Sequence, residues 1–234
     1  MIISRRRFFI LLGLLIAIVL LAPFIFMLWI DRKYFNSKPY KPKEASPADV
    51  LVLYYSRSGN TEAMAREIAR KFQADIIKLT AESYTLDFKG WINANIDAWN
   101  QNLTVIEPET IDISNYNLII LGSPIWYFRP APPLWTFVEK NNFQGKTVVL
   151  FNTFNSRFKS EEIHKFQKLI DNKGGRFLDH VYVRRGRVYN QISGNELIKR
   201  VQELLNTKDS NWRSIIGKMY RMVQRFEKTD GFPL

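Results

Sequence analysis

The chain opens on an apolar block. Residues 8–30, FFILLGLLIAIVLLAPFIFMLWI, run for 23 positions without a charge. At 1.5 Å per residue a helix of that length covers about 34 Å, against a hydrocarbon core about 30 Å thick. The pattern predicts one transmembrane helix, which pairs its own backbone in lipid. Trp29 and Tyr34 suit the interface at its exit. The block is longer than the apolar region of a cleaved leader, and no small-x-small site follows Ile30.

After a Lys/Pro-rich stretch the pattern changes. Strand-like and helix-like segments alternate strictly. Asp49–Tyr55 (DVLVLYY) is a continuous apolar run of the kind a buried parallel strand shows. Asn60–Phe72 has helical spacing, with Met64, Ile68 and Phe72 four residues apart. Strands are predicted at 74–79, 117–122, 146–152 and 176–183, and helices at 131–140, 160–172 and 194–205, while 84–103 reads as partly helical. Such alternation argues for a parallel sheet covered on both faces. Ligands of such sheets bind beyond the carboxyl ends of the strands. Loops 56–61, 123–130 and 152–158 all fall at that edge.

Charge and composition narrow the chemistry. The formal charge is +12, but it sits at the ends. Residues 1–43 hold eight Lys/Arg against one Asp, and 207–234 hold six against three acids. A nucleic-acid-binding domain carries its charge on the fold itself, so no nucleic-acid partner is expected; basic ends beside an apolar block point to membrane lipid. There are no cysteines, which removes disulfides, thiolate catalysis and thiolate metal sites. His164 and His180 are not at metal-ligand spacing.

The first loop, Ser56-Arg57-Ser58-Gly59-Asn60-Thr61, lies between a strand and a helix. Backbone N–H groups at a helix N-terminus converge there and favour an anion. Gly59 allows the turn, and the short polar side chains add donors. The loop lacks the Gly-Lys-Ser/Thr of a triphosphate site, so a phosphomonoester fits better. An ordinary capping turn is the plainer alternative. The second loop, Ser123-Pro124-Ile125-Trp126-Tyr127-Phe128-Arg129-Pro130, offers three consecutive aromatics between prolines. It can stack on a planar heterocycle or pack against Trp135 and Phe137 on the following helix.

Together these loops resemble the flavodoxin family. YYSRSGNT at 54–61 resembles its FMN-phosphate loop, and the run from Leu118 to Asn152, with SPIWY and GKTV within it, resembles the flavin-facing half. The resemblance covers about residues 50–206. It implies a doubly wound α/β fold with five parallel strands in the order 2-1-3-4-5, here preceded by the transmembrane helix. It implies FMN as cofactor, its phosphate at Ser56, Arg57, Ser58, Gly59, Asn60 and Thr61. The flavin ring would lie beside Pro124, Ile125, Trp126 and Tyr127, with Thr153, Phe154 and Asn155 of the third loop completing the site. That third loop departs from relatives that carry Gly or His there: it has no glycine, and Phe154 either closes over the ring or fills the pocket.

The resulting organisation is a basic N-terminus (1–7), the transmembrane helix (8–30), a Pro/Lys-rich tether (31–47), the flavodoxin-like domain (48–206) and a basic tail (207–234). Within the tail, 211–228 has the spacing of an amphipathic helix that lies on a bilayer or packs on the domain. Three basic residues precede the apolar block and five follow it before residue 44. This places a single-pass inner-membrane protein with its domain on the cytoplasmic rather than the periplasmic side. The expected function is a redox flavoprotein passing electrons from a reduced donor to a membrane-associated acceptor such as a quinone. The alternative is a flavin-free scaffold with the same fold. No acid, base or nucleophile stands out as catalytic.

Overall fold

The computed structural model of the chain describes residues 5–31, 33–42, 49–187, 189–208 and 212. In the first helix, α1 (Arg5–Asp31), the side chains of 23, 24 and 27–31 fall outside this description. The elements that follow are β1 (Val50–Tyr55), α2 (Asn60–Phe72), β2 (Asp75–Leu79), a single 3-10 turn (Glu82–Tyr84) and α3 (Phe88–Asn100). Then come β3 (Leu118–Trp126), β4 (Arg129–Pro130), α4 (Pro132–Lys140), β5 (Thr147–Phe154), α5 (Ser160–Asn172), β6 (Arg176–Arg184) and a helix, α6, over 194–208.

The strands form one six-stranded sheet, ordered β2-β1-β3-β5-β6, with β4 off this path and paired to β3. The pairings along the path are parallel, and β4 is antiparallel to the end of β3. The expected count of five strands is therefore corrected to six. The extra strand arises because β3 runs on to Trp126 and turns back on itself at once, Ile125 facing Pro130 and Trp126 facing Arg129. The sequence offers no Asn-Gly or Asp-Gly there to announce a tight hairpin.

A second correction concerns α1. Among the described residues no helix is long and apolar enough to cross a membrane. The readings of 8–30 as a transmembrane helix and of the chain as a single-pass inner-membrane protein are both overturned on this finding. The side chains of Pro23 and Trp29, and most of the tail expected to form a basic helix, lie outside the described residues.

The sheet is buried on both faces, and the alternation along β1 shows how. Leu51, Leu53 and Tyr55 face a core shared with Leu134, Phe137 and Val138 of α4 and Ile163, Phe166 and Ile170 of α5. Val50, Val52 and Tyr54 face the opposite core, with Met64 and Ile68 of α2 and Leu197, Val201 and Leu205 of α6. Successive strand residues point to opposite faces, so a strand that is apolar at every position must have helices on both sides. Trp212 closes the second core. It is fully buried, stacks on Phe72 at 5.6 Å and donates its indole N–H to Asp179 at 3.2 Å.

Segment 34–40 forms a strap bound along α2. Phe35 donates its backbone N–H to the Ser58 carbonyl at 2.9 Å. Arg66 donates to the Ser37 carbonyl at 2.7 Å and to its hydroxyl at 3.0 Å. Glu62, buried in the first turn of α2, accepts from the Tyr34 hydroxyl, from Arg66 and from Lys78 at 3.1 Å. Burial opposes the charge on Glu62, but the hydrogen bonds from Tyr34 and Lys78 outweigh it and hold the carboxyl below its usual range.

At the centre of the sheet, packing leaves no room for one methyl group. A Cβ at Gly122 would stand 1.8 Å from Cζ of the Phe151 ring, and that ring is itself fully buried. The variant Gly122→Ala is expected to lose about 2 kcal/mol or more of stability, as overpacked cores do. Urea denaturation measures this, and a midpoint equal to that of the parent would show that the Phe151 ring can move aside.

Candidate functional site

Three strand ends build one cavity at the carboxyl edge of the sheet. The first contributes Ser56–Thr61. Gly59 adopts φ 83°, turns the chain into α2, and leaves the helix N-terminus without a side-chain cap. The turn is braced by the Gly59 N–H donating to Ser56 Oγ at 3.1 Å and by Asn60 Nδ2 donating to Ser58 Oγ at 3.0 Å. A Cβ at Gly59 would lie 2.1 Å from the Phe35 carbonyl oxygen, so this position needs glycine both for its φ and for the strap above it. The Arg57 guanidinium turns towards the carbonyls of Thr85 at 2.8 Å and Asp87 at 3.3 Å, tying the loop to the approach of α3.

The second strand end is the β3–β4 turn. Tyr127 and Phe128 both take left-handed backbone, φ 44° and 72°. Non-glycine residues in that region cost about 1–3 kcal/mol each and cluster where a loop has work to do. Trp126 points inward, with its ring 5.7 Å from Tyr55 and 5.6 Å from Tyr84, both edge-on. Tyr127 points outward, donates its hydroxyl to Asn95 Oδ1 at 3.1 Å and meets Trp99 edge-on at 5.2 Å. Beneath them Ser123 is fully buried; its hydroxyl accepts from the Ala131 N–H at 3.1 Å.

The third strand end is β5. Thr153 and Thr61 share a hydrogen bond at 2.8 Å, joining the first loop to the third across the end of β3. Asn152, fully buried, donates to the Ser123 carbonyl at 2.8 Å and accepts at its Oδ1 from His180 Nε2 at 2.9 Å. Phe154 is buried with Phe158 at 5.5 Å and Tyr182 at 5.4 Å. Its ring both lines the cavity and belongs to this aromatic cluster.

The cavity has a volume of about 500 Å³. The structure brings Ser56, Arg57, Ser58, Asn60, Thr61, Pro124, Ile125, Trp126, Tyr127, Thr153, Phe154 and Asn155 to its wall; Gly59 lies in the turn beneath. Of the remaining lining residues, Phe128, Ser156 and Arg157 lie in the edge loops that the sequence marked, whereas Lys33, Trp91, Ala94, Asn95, Arg185, Arg187 and Gln191 escaped the sequence reading. The run VRRGR at 183–187, at the carboxyl end of a strand, was the available signal for two of them. Nothing in the sequence places Lys33 near the first loop, since tertiary contact of the strap puts it there. The lining holds five cationic side chains, Lys33, Arg57, Arg157, Arg185 and Arg187, and no carboxylate. Such a cavity favours anions.

A family model described as flavodoxin matches residues 49–203. The chain belongs to the flavodoxin family. A curated relative, the NAD(P)H dehydrogenase (quinone) of Caulobacter vibrioides, is 34% identical over 96 residues, which are 39% of this chain and 46% of the relative. The chain thus spans about half the length of the curated relatives it matches. A candidate flavoprotein of known structure from Bacteroides uniformis is similar with a TM-score of 0.53 and 20% identity, over 66% of this chain and 98% of that one. This likeness shows the shared fold. A flavoprotein from Lactobacillus acidophilus, solved in complex with FMN, gives a TM-score of 0.48 and 26% identity over 57% of this chain and 91% of that one. Family membership agrees with the resemblance carried by YYSRSGNT and SPIWY.

In this flavodoxin-family domain His180, bonded to Asn152 near the end of β5, is displaced from its ordinary titration. Burial pushes its imidazole down from 6.5 to about 4, so it stays neutral while donating to Asn152. The unfolded chain binds the proton near pH 6.5 and the folded chain does not until about pH 4. His180 therefore contributes stability above pH 6.5 that is lost as the pH falls through this window, up to about 3 kcal/mol. Urea midpoints at pH 7 and pH 4.5 are expected to fall further apart in the parent chain than in His180→Gln. Equal pH dependence in the two chains would show that His180 is not the group responsible.

Proposed function

We propose that this chain is an FMN-binding redox flavoprotein that carries electrons from a reduced nicotinamide donor to a quinone-type acceptor. The observation that carries this reading is one cavity in which an uncapped helix N-terminus and a held aromatic turn face a common space. The residues fit the cofactor. The first loop presents hydroxyls and free-ended helix geometry to a phosphate, and the Oδ1 of Asn60 is buried without a hydrogen-bond partner, an acceptor suited to a ligand hydroxyl.

Ser56, Ser58, Asn60 and Thr61 would hold the phosphate. Pro124, Ile125, Trp126 and Tyr127 would bound the ring on one side, with Thr153, Phe154 and Asn155 on the other. When bound, FMN supplies reversible electron and hydride chemistry. The chain's own residues supply position and field. Trp126 is fixed by Tyr55 and Tyr84, Tyr127 by Asn95, and the β5 end by Asn152, so the walls are set before a ligand arrives. The five cations favour any negative charge gained in the cavity, and so favour the reduced state. The family and the partial match to a quinone-reducing dehydrogenase support this reading of donor and acceptor.

The purified full chain, incubated with FMN and desalted, is expected to be yellow with about one flavin per chain. A colourless chain that does not take up FMN would instead make it a flavin-free scaffold. Tyr127→Ala, at a half-exposed position outside both cores, is expected to weaken FMN binding about fivefold, the worth of one aromatic contact. Fluorescence quenching of free flavin measures it, and an unchanged dissociation constant would remove Tyr127 from the ring site.

A further inference from the structure

The cavity carries more positive charge than one phosphate calls for, and the surplus comes from a part of the fold that the FMN reading does not use. A phosphomonoester brings about two negative charges. The phosphate loop follows β1, whereas Arg157 follows β5 and Arg185 and Arg187 follow β6. In the sheet order β1 and β6 are three strand positions apart, roughly 14 Å at the usual strand spacing.

The three arginines are held in place by their surroundings. Arg185 donates its backbone N–H to the Phe154 carbonyl at 2.7 Å, and its own carbonyl accepts from Ile192 at 2.8 Å. Gly186 takes φ 88°, and a Cβ there would stand 2.4 Å from the Asn190 carbonyl oxygen. The turn is closed by Asn190, whose Oδ1 accepts from the Arg187 N–H at 2.8 Å. The Arg187 guanidinium reaches back to Ser156 Oγ at 3.1 Å, and the Arg157 guanidinium stands 5.4 Å above the Phe128 ring.

Arg185 supplies the observation that points to a ligand. Its Nε is buried and has no hydrogen-bond partner, while the residue lines the open cavity. A buried guanidinium nitrogen left unpaired costs stability, and an anionic oxygen entering the cavity removes that cost. Guanidinium groups present flat forks of donors that match phosphate geometry.

Building on the function proposed above, we propose that Arg157, Arg185 and Arg187 form a second anion subsite, which binds the phosphate groups of a nicotinamide dinucleotide. The aromatic wall at Phe128 adjoins this subsite, and the cofactor phosphate keeps the loop at α2. Two anionic ligands then enter one cavity from different strand ends, and the five cations offset both.

The test uses the full chain loaded with FMN and the oxidised dinucleotide NADP+, which binds without reducing the flavin. Calorimetry is expected to show binding that weakens with added salt. In Arg157→Gln/Arg187→Gln the dissociation constant is expected to rise at least about tenfold, the loss of one charge-assisted contact, with FMN content unchanged. Arg157→Lys/Arg187→Lys keeps the charge without the fork and is expected to fall between; it also guards against a Gln variant that fails to fold. NADP+ binding that is absent from the flavin-loaded parent, or equal in parent and both variants, overturns the subsite. Loss of FMN from the Gln variant, with retention by the Lys variant, would assign these arginines to the cofactor phosphate and likewise overturns it. A parent chain that never takes up FMN fails the earlier reading instead, and that result is read before any dinucleotide is added.

Discussion

Burial of the central strands on both faces is the constraint from which the rest of this structure follows. β1, β3 and β5 present apolar residues at consecutive positions, so neither face tolerates water. Helices must cover both, and parallel strands require crossovers long enough to carry them. The loops that leave the strands gather at the carboxyl edge of that sheet, and the cavity sits among them.

That edge is then stiffened by contacts that are individually modest. Thr61 to Thr153, Asn152 to Ser123, and His180 to Asn152 link the ends of β1, β3, β5 and β6 in a chain of buried hydrogen bonds. Buried polar groups of this kind are costly if broken, so the loops are fixed relative to one another. The strap at 34–40 adds a further tie. Glu62 binds Tyr34 and Lys78 together at the first turn of α2, and Phe35 lies on Ser58. The shape of the phosphate loop is thereby coupled to residues far away in sequence, and Lys33 reaches the cavity as a result.

Electrostatics gives the site its bias. The cationic residues of the cavity come from the strap, the first loop, the β5 loop and the β6 turn, with no carboxylate among the lining residues. The run VRRGR at 183–187 supplies two of the five cations, and the other three come from separate segments. Only the convergence of four segments makes the field.

The sequence by itself determined the alternation of elements, because strand and helix periods are local. The limits of α2 and α5 could be read from apolar spacing alone, and YYSRSGNT and SPIWY marked the edge loops because their residue types are wrong for a core. Periodicity could not reveal β4, since Tyr127 and Phe128 are held left-handed by the pairing of Trp126 with Arg129 rather than by any local preference. Nor could the length of the apolar run at 8–30 establish a spanning helix, for among the described residues none is long and apolar enough to cross a membrane. Thr153, Phe154 and Asn155 were legible as neighbours of the site. The split role of Phe154, part cavity wall and part aromatic cluster with Phe158 and Tyr182, was decided by packing. The arginines of 157–187 and Lys33 were invisible as a group, because charge acts through space, and only the tertiary structure brings these side chains within reach of one ligand.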